Sequence, residues 1–179
     1  MTATNVIRAS VVQTCTAAYS LPDTLDKLER YTRQAQEEGS KLAVFPEAFI
    51  GGYPKYSLFG VCVGDRTPEG RDEFLRYHSA AIEVPGSPAI ARIETISKET
   101  GVFLVVGVIE RDLGTLYCTA VFVDPENGYV AKHRKLVPTA MERIIWGQGD
   151  SSTLPVYEAS FVSGKPDSVK AKISATICW

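Results

Sequence analysis

Histidine, methionine and tryptophan each occur only twice in the 179 residues, and cysteine four times. Cys15, Cys62, Cys118 and Cys178 stand far apart, without the paired spacing of a metal site, and two histidines cannot complete one. A zinc centre and a disulfide framework are therefore both excluded, and a reducing cytoplasm fits. An excess of charge is lacking too. Nineteen basic residues against 21 acidic ones leave a net charge of −2, with no basic stripe for nucleic acid and no acidic tail. The longest apolar run, residues 102–109, is far short of the roughly 20 residues that cross a bilayer. Arg8 interrupts the first apolar segment, which reads as a strand and not as a signal peptide. Internal repeats and low-complexity stretches are absent as well. What is left, 45% apolar and 22% charged, is the composition of a globular domain large enough for its own core.

Periodicity gives the elements. Residues 7–13 form a first strand, and a helix follows from about Asp23, with Leu25, Leu28, Tyr31, Thr32 and Ala35 on one face and Gly39 as its stop. A short buried strand over 41–45 completes a βαβ unit and hence a parallel pair. Residues 47–64 are a loop rich in Gly, Tyr and Pro. Helices are expected over 68–81 and from Pro88 to about Thr100, where Gly101 ends the second. Strands follow over 102–110, 115–124 and 129–132, the last two joined by the turn Asp124-Pro125-Glu126-Asn127-Gly128. Residues 134–152 are irregular, an edge strand lies near 155–157, and 163–167 form a surface turn. The final residues, 171–179, alternate as a buried strand with Cys178 at its carboxyl end. The expected fold is α/β, a mixed and mostly parallel layer with helices on one face.

Three strand ends carry residues able to do chemistry. Cys178 reads either as a small apolar residue finishing a strand or as a thiol nucleophile, which needs a base and a cation nearby. Glu47, just past a buried strand, is a capping or solvent-facing acid, or a general base with a partly buried carboxylate. Lys132-His133-Arg134-Lys135 is a solvated basic run, or else Lys135 turns back to the core at Leu136-Val137-Pro138 and needs a carboxylate partner such as Glu47. Glu142 either pairs with Arg143 at the surface or orients that lysine.

Three blocks then become specific. They are residues 45–55 (Phe-Pro-Glu-Ala-Phe-Ile-Gly-Gly-Tyr-Pro-Lys), residues 132–150 from Lys-His-Arg-Lys-Leu-Val-Pro-Thr to Trp-Gly-Gln-Gly-Asp, and Ile177-Cys178-Trp179. In this order they resemble the signature blocks of the carbon–nitrogen hydrolase (nitrilase) superfamily, in its true nitrilase branch. The resemblance implies a catalytic Glu47, Lys135 and Cys178, with Glu142 in support and Tyr53, Trp146 and Trp179 around the substrate. It implies no metal and no cofactor, a small nitrile or amide as substrate, and an αββα sandwich that assembles as a homodimer or larger. Residues 1–179 would be the N-terminal part of one such domain, half of the sandwich, stopping just after the nucleophile. On that reading the chain alone is expected to be inactive, with the outer face of strand 102–110 uncovered. Cys15, Cys62 and Cys118 are expected to lie away from the site. An amidase, an N-carbamoyl hydrolase or a cyanide hydratase is the alternative within the same chemistry, and a non-catalytic interaction module is the alternative outside it.

Overall fold

The computed structural model describes residues 6–161 and 169–178. Strand β1 (Ala9–Val11), helix α1 (Leu21–Glu37) and strand β2 (Leu42–Val44) form the expected βαβ unit, with β1 and β2 parallel. Ser20 caps α1 by accepting from the Asp23 N–H, and Pro22 sits in the first turn, where no N–H is missed. Thr24, Leu25, Leu28, Thr32 and Ala35 are the buried face. Helices α2 (Pro68–Ala80) and α3 (Pro88–Thr100) lead to strand β3 (Phe103–Asp112). Gly101 ends α3 in the left-handed conformation, with φ 64°.

Strands β4 (Thr115–Asp124) and β5 (Gly128–Arg134) complete a five-stranded sheet in the order β1-β2-β3-β4-β5. Two of its four pairings are parallel and two antiparallel, so it is mixed but not mostly parallel. The reason is local. Only Leu113 and Gly114 separate β3 from β4, too little chain for a crossover. The turn after β4 is held by Asp124, whose Oδ1 accepts from the backbone N–H groups of Glu126 and Asn127 at 2.8 and 3.0 Å. The β4–β5 ladder shifts register once: Val123 pairs with Tyr129 and Phe122 with Ala131, leaving Val130 as an extra, bulged residue.

The sheet divides the core. Leu104, Val106, Val108, Val121 and Val123 pack against Leu25, Leu28, Ile90, Ile93 and Ile96 of α1 and α3. Phe103, Val105, Ala120 and Phe122 point the other way, onto a hairpin of β6 (Tyr157–Phe161) and β7 (Val169–Ile173). Phe103 and Phe122 are fully buried and Val105 is 5% exposed. The outer face of β3 is therefore not left open, because this second, two-stranded sheet covers it. Each such side chain contributes about 1.5–3 kcal/mol of burial.

The final strand also differs from expectation. It stops at Ile173, and residues 174–178 continue the exposed-and-half-buried alternation outside any ladder. Ile173 pairs with Tyr157. Continued in that register, Ser174 would face Val156 and Ala175 would face Pro155, which has no N–H to donate. Cys178 is therefore not at a strand end. The surface turn expected over 163–167 lies outside the described residues. Among the described residues no helix is long and apolar enough to cross a membrane.

Candidate active site

Glu47 reaches the sheet through a detour. Phe45 N–H still donates to the Val105 carbonyl at 2.8 Å, and pairing with β3 resumes at Ile50, opposite Val108. Val44 pairs with Val105, so six residues of this path span three of β3. The surplus, Pro46-Glu47-Ala48, arches over Gly107. A Cβ at Gly107 would lie 2.1 Å from the Pro46 carbonyl oxygen and 2.8 Å from Glu47 Cα. Only glycine admits this approach. Ala48 accepts a positive φ of 53° to bring the chain back.

Lys135 arrives from the other edge. It follows β5, and its N–H donates to the Cys118 carbonyl at 2.8 Å, extending the β4–β5 ladder. Its side chain is 2% exposed and lies between two carboxylates. Nζ donates to Glu47 Oε1 at 2.8 Å and to Glu142 Oε2 at 2.8 Å, and sits 5.6 Å from the centre of the Trp146 ring. Burial alone would lower the lysine pKa, but the hydrogen bonds to Glu142 and Glu47 outweigh it and hold the pKa above its ordinary value. The ammonium stays charged in a place where an unpaired one would not.

Glu142 is fixed in the 3₁₀ helix Ala140–Ile144, which starts the irregular segment's return to the core. Oε2 also accepts from the Thr139 N–H at 2.6 Å, and Oε1 accepts from the Tyr53 hydroxyl at 2.9 Å. Burial opposes ionisation of Glu142, yet Lys135, Thr139 and Tyr53 together keep its pKa below the ordinary value. Partial burial and Glu142 push the Tyr53 phenol up to about 12, so it remains a donor. Trp146 is 3% exposed. It forms a wall beneath Lys135 and Tyr53, and its indole N–H donates to the Tyr77 hydroxyl, which in turn donates to the Gly52 carbonyl.

Two cavities meet at Glu47. One of about 160 Å³ is lined by Glu47, Gly107, Ala120 and Cys178, among others. The other, about 650 Å³, lies between Glu47 and Glu142 and is walled by Tyr53, Tyr56, Leu58, Phe59 and Ile144. Glu47, Lys135 and Glu142 are thus in direct contact, and Cys178, an exposed residue, shares a cavity with Glu47. Trp146 enters through Lys135 and lines neither cavity. Trp179 lies outside the described residues.

Cys118 was expected elsewhere and is at the site: its buried thiol is 3.4 Å from Glu47 Oε1. Nothing in the sequence marks it. Counting back from the Asp124 turn in plain register puts residue 134, not 135, opposite it; only the bulge at Val130 brings Cys118 and Lys135 face to face.

Residues 8–179 match the model of the carbon–nitrogen hydrolase family. The chain belongs to that family. An arylacetonitrilase of Trametes versicolor is 74% identical over 178 residues, covering 98% of this chain and 55% of the relative. A bifunctional nitrilase/nitrile hydratase of Nicotiana tabacum is 52% identical over 176 residues, covering 98% of this chain and 48% of the relative. The chain spans about half the length of these curated relatives. Among solved structures, an amidase from Nesterenkonia sp. superposes with a TM-score of 0.61 over 96% of this chain and 55% of its own, at 18% identity. That is a likeness of fold.

Proposed function

We propose that this carbon–nitrogen hydrolase chain carries the site of a nitrilase, converting a nitrile to a carboxylic acid and ammonia. The observation that supports this most is Lys135, buried between Glu47 and Glu142, with Cys178 and Glu47 on one cavity. Cys178 is the nucleophile. Its thiolate adds to the nitrile carbon, forming the C–S bond, and the nitrogen takes a proton to give a thioimidate. Glu47 removes a proton from water, which adds to that carbon. The C–N bond then breaks and ammonia leaves, giving an acyl-thioester. A second water, again activated by Glu47, displaces the thiol and releases the acid. Lys135 stabilises the charge of each tetrahedral centre, and Glu142 holds Lys135 in place.

The larger cavity, walled by tyrosine, phenylalanine, leucine and isoleucine, suits a flat apolar group. With the arylacetonitrilase relative it favours arylacetonitriles as substrates. A thiol nucleophile is best kept in a reducing cytoplasm, and a homodimer or larger assembly completes the reading. The test is incubation of the protein, as its gene encodes it, with phenylacetonitrile while ammonia, acid and amide are measured. Ammonia and acid in equal amounts are expected, and Cys178→Ala should abolish both. Since Cys178 is exposed, that substitution should leave stability within about 0.5 kcal/mol. Undiminished ammonia release by Cys178→Ala would remove Cys178 from the mechanism, and amide as the sole product would make the enzyme a hydratase.

A further inference from the structure

Cys118 is a buried group in contact with Glu47 to which the reaction, as written, gives no task. It is 1% exposed, and its Sγ is within hydrogen-bond reach of Glu47 Oε1 at 3.4 Å. The same oxygen accepts from Lys135 Nζ at 2.8 Å. Both donors come from the sheet floor. Cys118 lies on β4, Lys135 extends β5 directly opposite it, and cross-strand neighbours point their side chains to the same face. Glu47 comes down onto them from the arch over Gly107. The carboxylate therefore rests on two donors supplied by adjacent strands.

Burial, and then the negative charge of Glu47, push the Cys118 thiol up. It stays protonated at neutral pH, so it is a donor to Glu47 and not a rival to Cys178. We propose that Cys118 is a positioning residue: its S–H, together with the Lys135 ammonium, fixes the orientation in which the Glu47 carboxylate takes a proton from water. The proposal rests on the reading of Glu47 as general base. The other titratable groups around that carboxylate are Glu142 through Lys135, Tyr53 through Glu142, and Cys178 across the smaller cavity.

A packing role and a positioning role separate on two variants. Alanine and serine both shrink the side chain, but only Cys118→Ser keeps a donor. In the protein as its gene encodes it, Cys118→Ala should lower kcat about tenfold with KM little changed, well short of the ~10²–10⁴-fold cost of losing a general base. Cys118→Ser should recover most of the lost kcat. A reading independent of turnover is the S–H stretching band of Cys118, identified by its loss in Cys118→Ser: it should shift when Glu47→Gln is introduced. Equal kcat in Cys118→Ala and the wild type, or a band indifferent to Glu47→Gln, overturns the proposal. If the wild type turns over no nitrile, the nitrilase reading fails, while the band still decides whether the thiol holds Glu47.

Discussion

Lys135→Met removes one charge from a site that water does not refill, because the lysine side chain is 2% exposed. At 2.8 Å and an effective dielectric constant of about 20, one ion pair attracts by about 6 kcal/mol. Lys135 has two such partners, and much of that attraction offsets the desolvation of all three groups. The measurable quantity is the cost of leaving the carboxylates behind without their cation, about 3–5 kcal/mol. At about 2–4 °C per kcal/mol for a domain of this size, the melting temperature should fall by about 6–20 °C at neutral pH. The pH dependence gives a sharper test. The pKa of Lys135 is raised in the fold, because its carboxylate hydrogen bonds outweigh burial. Its contribution is full below the unfolded value of about 10.4 and is lost as pH rises through the higher folded value. The pKa of Glu142 is lowered, because Lys135, Thr139 and Tyr53 outweigh burial. Its contribution is full above about 4.3 and is lost as pH falls through the lower folded value. The wild type should therefore be stable across the interval between. In Lys135→Met, burial still opposes the Glu142 charge and its main counter-ion is gone, so the deficit should shrink on acidification. Melting curves of both proteins across this range check it. A deficit of less than about 2 °C at neutral pH, or one that stays constant with pH, would refute the reasoning.

Two further substitutions test the supports of the site. Gly107→Ala sets a Cβ 2.1 Å from the Pro46 carbonyl oxygen and should lift Glu47 off Lys135, costing about 100-fold in kcat; wild-type turnover would show that the arch can move without consequence. Trp146→Phe deletes the indole N–H that donates to the buried Tyr77 hydroxyl, which keeps its own bond to the Gly52 carbonyl, and should destabilise by about 1 kcal/mol, read as a lower melting temperature; an unchanged melt would mean the lost bond adds nothing to stability.

The elements with strong local signals were legible in the sequence. The βαβ unit, α3 between Ser87 and Gly101, and the full length of β4 follow from caps, turns and period-2 alternation. Contact among Glu47, Lys135 and Glu142 was likewise expected, since a lysine drawn into the core demands carboxylates. The end of the chain misled because alternation alone does not make a ladder. Residues 174–178 keep the pattern, but Pro155 stands opposite Ala175 in the register of the hairpin. The resemblance put Trp146 around the substrate; its place under Lys135 depends on a long-range bond to Tyr77 that no local pattern encodes. Cys118 was hidden for a different reason, a shift of one residue in strand pairing.

That shift has a wider consequence. In an antiparallel ladder each residue of slip exchanges the two faces of a strand. Val130, the unpaired residue of the bulge, is the counting error that puts Lys135 opposite Cys118. Without it the lysine would come level with Tyr117 and turn to the other face of the sheet, towards Glu110 and away from Glu47 and Glu142. A hairpin turn remote from the reacting atoms thereby sets the parity of the strand, and with it whether the site exists at all. A chain that closes this hairpin in the wrong phase takes Lys135 from Glu47 and Glu142 and turns Lys132 and Arg134 away from Glu110, so the ion clusters on both faces of the sheet also act as proofreaders of folding.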